Sequence, residues 1–134
     1  MNLRRLSIFM LLMAWAGVAM VALVSGVAWL EQPLPGGLPV GNLLAASIPV
    51  ALALLALLLG RSRSLQRRAA ATALVAALAW LPVSIALAGN LALDFSGERG
   101  TVWLGFSAVV MIAVLVAFGW GVLGWLHAAW RGRG

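Results

Sequence analysis

The sequence contains no cysteine, no tyrosine and no lysine, and it has a single histidine. Without cysteine, this chain alone cannot form disulfides, thiolate metal sites or iron–sulfur clusters. Charged residues make up only 9% of the 134 residues, and the net charge of +6 comes from an excess of arginine. The side chains that acid–base or metal chemistry needs are therefore scarce, which counts against most classes of enzyme.

Apolar residues dominate what is present, since 64% of the chain is hydrophobic and its mean hydropathy is +1.08. Soluble domains are only about 45–50% apolar, so we expect lipid rather than water to surround this chain. Apolar runs occupy about residues 6–30, 41–60, 69–93 and 101–130. Each provides the roughly 20 residues with which an α-helix crosses a bilayer. We predict a single all-α membrane domain over residues 1–134, with four transmembrane helices arranged as two helical hairpins.

The first apolar run has a rival interpretation as a secretory signal peptide. Arg4 and Arg5 precede the run, and Gly26-Val27-Ala28 offers small residues of the kind found at cleavage sites. The apolar region of a signal peptide has only about 7–15 residues, and this run is much longer. We therefore expect a retained helix.

The arginines lie at the ends of the apolar runs and set the predicted orientation. With the N-terminus in the cytoplasm, the arginines on the cytoplasmic side are Arg4, Arg5, Arg61, Arg63, Arg67, Arg68, Arg131 and Arg133. Only Arg99 falls on the other side, near the acidic residues Glu31, Asp94 and Glu98. The positive-inside rule then predicts that both termini are cytoplasmic. An arginine-rich, lysine-free composition is typical of a GC-rich bacterial gene, so we expect a multi-pass protein of the bacterial inner membrane.

Residues 61–68, RSRSLQRR, form an arginine cluster between the second and third apolar runs. A basic patch can indicate nucleic-acid binding, but the apolar runs on both sides place this one at a membrane surface. We expect the cluster to hold the orientation and to contact anionic inner-leaflet lipids or an acidic partner subunit. The residues predicted to make that contact are Arg61, Arg63, Arg67 and Arg68. Each arginine near an anionic surface contributes about 1 kcal/mol of attraction.

No ionisable residue lies in the middle of any apolar run, and such residues usually mark ion paths and proton relays. Serines of the runs have no neighbouring histidine or lysine to activate them. His127 could supply one axial bond to a cofactor shared with a partner, although capping the end of the fourth helix is the simpler interpretation. The sequence therefore predicts no catalytic residue, no metal site and no cofactor.

Two prolines form the pattern that points most specifically to a functional site. Pro49 and Pro82 lie at matched distances from the outer ends of the second and third runs. Each removes a backbone donor and favours a kink, freeing the carbonyls of Ala45 and Leu78. We predict a small pocket or partner groove there, or simply packing kinks without a ligand. The residues of this predicted pocket are Ser47, Pro49, Trp80, Pro82, Ser84 and Asn90.

Helix contacts in lipid rely on small residues and polar side chains. Small residues spaced for close packing are Ala22 and Gly26, Ala56 and Gly60, the series Ala69, Ala73 and Ala77, and Ala117 and Gly121, with Gly124 and Ala128. Trp15, Trp80 and Trp120 lie deep in their runs, where the indole N–H needs a partner on another helix or a ligand. Before the second run, residues 31–40 form a proline-rich loop and Asn42 is expected to cap the helix.

These features favour a non-catalytic accessory or structural subunit of a larger inner-membrane complex, with other membrane subunits as partners. The alternative is a small homo-oligomeric transporter or channel component for an apolar or neutral solute, acting through the proline region. A membrane enzyme is the weakest hypothesis.

Overall fold

The structure, a computed structural model, describes residues 2–61 and 64–132. Four long α-helices follow one another in these ranges, and each is long and apolar enough to cross a membrane. They are α1 (Leu3–Ser25), α2 (Val40–Leu59), α3 (Leu65–Ala88) and α4 (Arg99–Arg131). The predicted all-α class with four apolar spans is confirmed.

The first helix ends earlier than its apolar run. At Gly26 the backbone turns into the left-handed region, with φ of 62°, and the N–H of Gly26 bonds the Leu23 carbonyl. Glycine adopts this conformation at low cost, so it ends helices readily. A short 3₁₀ helix, Ala28–Glu31, follows and carries the last apolar residues of the run.

The third helix begins inside the arginine cluster rather than after it. Ser64 is the N-cap of α3, and its hydroxyl accepts a hydrogen bond from the Arg67 N–H at 3.1 Å. Residues 65–68 are therefore helical, although the sequence predicted a loop there. The helix ends at Ala88 because Gly89 adopts a left-handed φ of 74°.

Asn42 does not cap α2, so that prediction is wrong. The N-cap is Pro39, and Asn42 lies in the first helical turn. Its Nδ2 donates to the Leu91 carbonyl at 2.9 Å, which joins the start of α2 to the segment after α3. The proline-rich loop before α2 turns at Gly36 and Gly37, both with φ near 100° (103° and 93°).

α2 lies at the centre of the structure and contacts α1, α3 and α4. The buried core is formed by small and β-branched residues of α2, α3 and α4. Its members are Ala53, Ala56, Ala70, Ala73, Ala77, Val110, Val114 and Ala117. α1 packs mainly on α2, and Ala19 is its one buried residue within the described chain.

Close packing by small residues is confirmed in the core but not in α1. Ala56, Ala73, Ala77, Ala117 and Gly121 are all buried. Ala22 is half-buried and Gly26 is exposed, so the pair predicted for α1 does not form a buried contact within the described chain. Small side chains let α2, α3 and α4 approach closely, whereas α1 remains at the periphery.

Candidate functional site

Two apolar grooves lie beside the prolines. The first, called here the Trp15 groove, has a volume of about 560 Å³ and is lined by residues of α1, α2 and α3. Its walls include Trp15, Ser47, Leu78 and Pro82. The second, the Pro49 groove, has a volume of about 250 Å³ and is bounded by all four helices.

Each proline lies in a groove with the residue whose carbonyl it leaves without its helical donor. Ala45 and Pro49 line the Pro49 groove, and Leu78 and Pro82 line the Trp15 groove. The two prolines differ in environment, since Pro49 is buried and Pro82 is exposed. Although the two prolines lie at similar distances from the ends of their helices, they do not line the same groove.

The structure divides the six residues of the predicted pocket among three places. Ser47 and Pro82 line the Trp15 groove, and Pro49 lines the Pro49 groove with Trp80. Ser84 is fully buried between α3 and α4. Asn90 lies in the turn after α3, where its side chain bonds the N–H and carbonyl of Asp94.

Tryptophan–serine hydrogen bonds join the helices, as predicted for the indole N–H groups of Trp15 and Trp80. Trp15 Nε1 donates to Ser47 Oγ at 2.8 Å and joins α1 to α2. Between α3 and α4, Trp80 Nε1 donates to Ser107 Oγ and Trp103 Nε1 donates to Ser84 Oγ, both at 2.9 Å. Trp103 also stacks on Phe95, with ring centroids 4.8 Å apart.

Two of these serines also donate a hydrogen bond to their own helix. Ser47 Oγ donates to the Leu44 carbonyl and Ser84 Oγ to the Trp80 carbonyl, each at 2.6 Å. A hydroxyl has one proton to donate, and here it is given to a backbone carbonyl while the lone pair accepts an indole N–H. These serines thus serve helix packing, and among the described residues that line the groove around Ser47 none is a histidine or a charged residue.

Another cleft lies at the end of the molecule where α2 ends and α3 begins. It has a volume of about 370 Å³ and is bounded by α2, α3 and α4. Its polar lining residues include Arg61, Ser64, His127 and Arg131, and we call it the arginine cleft. Among the described residues, none that lines it is acidic.

Gln66 forms one wall of the arginine cleft and is only 8% exposed. Its Nε2 donates to the Ala56 carbonyl at 3.0 Å and to the Ala117 carbonyl at 3.3 Å, so one amide joins α3 to both α2 and α4. Its Oε1 is buried and has no hydrogen-bond partner within the described chain. An unpaired buried acceptor costs about 1–3 kcal/mol, which makes this oxygen the least satisfied polar atom of the cleft.

Two glycines make room for the Gln66 amide. A Cβ at Gly60 would overlap Gln66 Oε1, and a Cβ at Gly121 would lie 2.9 Å from Gln66 Nε2. Alanine at either position would push the amide out of its place. The small residues noted in α2 and α4 therefore serve to admit a polar side chain.

The arginine cluster does not act as one patch. Arg61 lines the arginine cleft, whereas Arg67 lines a separate groove of about 260 Å³ with Arg5 and donates to the Leu57 carbonyl. Arg68 is exposed and lines neither of these cavities. Arg63 lies outside the described residues.

His127 is exposed and lines the arginine cleft. In the described chain, no group of three or more histidine or acidic residues could hold a metal ion. Trp120 lines the same cleft and is 44% exposed. Its deep position in the sequence suggested a partner on another helix, but the indole hydrogen bonds of the described residues come from Trp15, Trp80 and Trp103.

Sequence reasoning missed Gln66, because a glutamine within a basic segment is expected to face solvent. The available signals were Ser64, a helix N-cap residue two positions earlier, and the glycines at 60 and 121. Comparison of the chain with protein-family models, curated proteins and solved structures gives no match.

Proposed function

We propose that this chain is a non-catalytic accessory subunit of a multi-subunit complex of the bacterial inner membrane. The observation that carries the proposal is the one-sided packing of α1. Val18, Val21 and Val24 of this helix are 68%, 68% and 80% exposed, while α2 contacts α1 along its other side. A partner helix packed on α1 would complete its surroundings.

Helix association in lipid gains little from burying apolar side chains, so it depends on close packing and interhelical hydrogen bonds. α1 has one side-chain hydrogen bond to α2, from Trp15 to Ser47. The wide Trp15 groove keeps much of α1 away from α3. A subunit that presents a loosely attached apolar helix is suited to joining a neighbour rather than to holding a substrate in a rigid site.

The polar side chains between the helices support the same role. The serines that accept tryptophan N–H groups act in helix packing, and Gln66 joins three helices. These hydrogen bonds would hold the helices together as a stable scaffold, because they occupy most of the polar side chains between the helices.

We further propose that the helices form two hairpins with both termini in the cytoplasm. Arg5, Arg61, Arg67 and Arg131 border the clefts at one end, which agrees with a positive-inside orientation. The cysteine-free sequence permits a direct test with single cysteines. In intact spheroplasts, a membrane-impermeant maleimide should label Ser96→Cys and should leave Gly132→Cys unlabelled until the membrane is opened; the reverse pattern would refute this orientation.

Photocrosslinking tests the accessory role. A photoreactive amino acid replaces Val18 on α1, and the control carries it at Val75 on α3, which is also 68% exposed. The proposal predicts a discrete crosslink to an unrelated membrane protein from position 18 and a much weaker one from position 75. Crosslinks only to lipid, or equal yields at both positions, would contradict it.

A small homo-oligomeric transporter for an apolar or neutral solute is the second candidate, and the proline-lined grooves favour it. The Trp15 groove is large enough for a small apolar molecule and is almost wholly apolar. The variant Pro49→Ala/Pro82→Ala should then alter solute movement in vesicles while α-helical content is retained. Unchanged activity and assembly in this variant would exclude a functional role for the prolines.

A further inference from the structure

The lining of the arginine cleft combines charged and apolar residues. Arg61 and Arg131 supply positive charge, and Trp120, Gly121 and Gly124 line it along α4. Positive charge beside an apolar surface matches a molecule with an anionic head and a hydrocarbon tail. We propose that the cleft binds one phospholipid with an anionic head group that carries a hydroxyl, as phosphatidylglycerol does. This inference goes beyond the accessory role and does not depend on it.

Charge selects the phosphate. Both Arg61 and Arg131 are exposed and line the cleft, and the acidic residues of the chain are Glu31, Asp94 and Glu98, none of which lines the cleft. A guanidinium pairs well with phosphate because its N–H groups match the phosphate oxygens in geometry and charge. The cleft therefore favours an anionic head group over a zwitterionic one.

Gln66 selects the hydroxyl. Its Nε2 is held by two backbone carbonyls, which fixes the amide with Oε1 as the remaining acceptor. That oxygen has no donor among the residues that the structure describes. The glycerol hydroxyl of a lipid head group is such a donor. Oε1 is closed to solvent, so the hydroxyl completes the set only after a small opening of the wall that Gln66 forms in the cleft.

The apolar part of the cleft accepts the rest of the lipid. A Cβ added at Gly124 would meet no atom within 4 Å, so the helix surface is open there. Trp125 lines the cleft near the end of α4, and tryptophans are typical of the region where lipid head groups meet acyl chains. A soluble phosphate would use the arginines but leave this slot empty, so we commit to a lipid.

The test measures lipid retention by native mass spectrometry of the full-length protein in a mild detergent. Three probes with identical acyl chains are compared: phosphatidylglycerol, phosphatidylethanol and phosphatidylcholine. Phosphatidylethanol has the same charge as phosphatidylglycerol but lacks the hydroxyls. The expected order of affinity is phosphatidylglycerol, then phosphatidylethanol, then phosphatidylcholine, with one bound lipid retained and roughly tenfold between the first and last.

Matched variants separate the cleft from general surface charge. Arg61→Gln/Arg131→Gln should lower phosphatidylglycerol affinity about tenfold or more, because it removes both charge-assisted contacts. Arg4→Gln/Arg68→Gln removes the same charge at residues that do not line the cleft, and it should keep the affinity. Equal losses in the two double variants would overturn the proposal.

A second pair of variants tests the slot. Gly124→Leu should fill it and weaken both anionic lipids, whereas Gly105→Leu, also on α4 in open space, should not. Tryptophan fluorescence and circular dichroism would check that each variant is folded. Equal retention of all three lipids by the wild-type protein, or displacement of the lipid by glycerol phosphate without acyl chains, would overturn the site as a lipid site.

Discussion

Replacement of Gly60 by alanine tests how Gln66 joins α3 to its neighbours. Gly60 has φ of −73° and ψ of 142°, which alanine adopts without strain, so any effect must come from contacts of the added methyl group. The methyl would overlap Gln66 Oε1 and would lie 3.2 Å from Arg67 Cβ. The amide of Gln66 must therefore move, while the Arg67 contact needs a shift of only a few tenths of an ångström.

The expected loss follows from the two hydrogen bonds that the amide would give up. Bonds from Gln66 Nε2 to the carbonyls of Ala56 and Ala117 are 3.0 and 3.3 Å long. At about 0.5–1.5 kcal/mol each, their loss lowers the free energy of unfolding by about 1–3 kcal/mol. Alanine also restricts the unfolded chain, which returns about 0.4–1 kcal/mol of stability. We therefore expect a net destabilisation of about 0–2.6 kcal/mol, or about 1.3 kcal/mol at the midpoints of the two ranges.

The assay is reversible unfolding in mixed detergent and dodecyl sulfate micelles, followed by circular dichroism. A double-mutant cycle with Gln66→Ala isolates the contact, because in that background Gly60→Ala should be neutral or slightly stabilising. Gly119→Ala is the control, since its methyl meets no atom within 4 Å. If Gly60→Ala destabilises the Gln66→Ala protein as much as the wild type, the account of Gln66 is wrong.

Three further predictions concern the helix contacts, a helix end and the orientation. Trp80→Phe removes the N–H that donates to Ser107, and a double-mutant cycle with Ser107→Ala should give a coupling of about 0.6 kcal/mol in the same unfolding assay. Gly89→Ala should cost about 1–2 kcal/mol because residue 89 has a left-handed φ of 74°, whereas Gly105→Ala in open space should cost nothing. Reversing the four charges of the arginine cluster to glutamate should invert or mix the orientation seen by cysteine labelling; unchanged topology and assembly would refute its role as an orientation signal.

The four spans could be predicted because apolar runs bounded by arginine, proline and glycine leave few alternatives in a bilayer. Their ends could not be fixed as well. The end of α1 depends on the left-handed conformation of Gly26, and apolar residues continue beyond it into the 3₁₀ helix. The start of α3 depends on Ser64, whose capping role was hidden within a basic segment.

The candidate sites were harder to predict because spacing along the chain does not give the rotation of each helix about its axis. Pro49 and Pro82 have similar depth, yet one is buried and the other faces a different groove. The buried position of Gln66 could not be predicted, because it depends on which residues of α2 and α4 contact the start of α3. Those contacts belong to the tertiary structure. The tryptophan–serine contacts were predictable in kind, since a deep indole N–H requires an acceptor, but not in pairing.

The accessory role can be tested most directly by gentle extraction from the native membrane and native mass spectrometry of the intact assembly. We expect to find this chain in fixed stoichiometry with one or more unrelated membrane subunits. A monomer, or an assembly of copies of this chain alone, would contradict it, and the second of these results would favour the transporter.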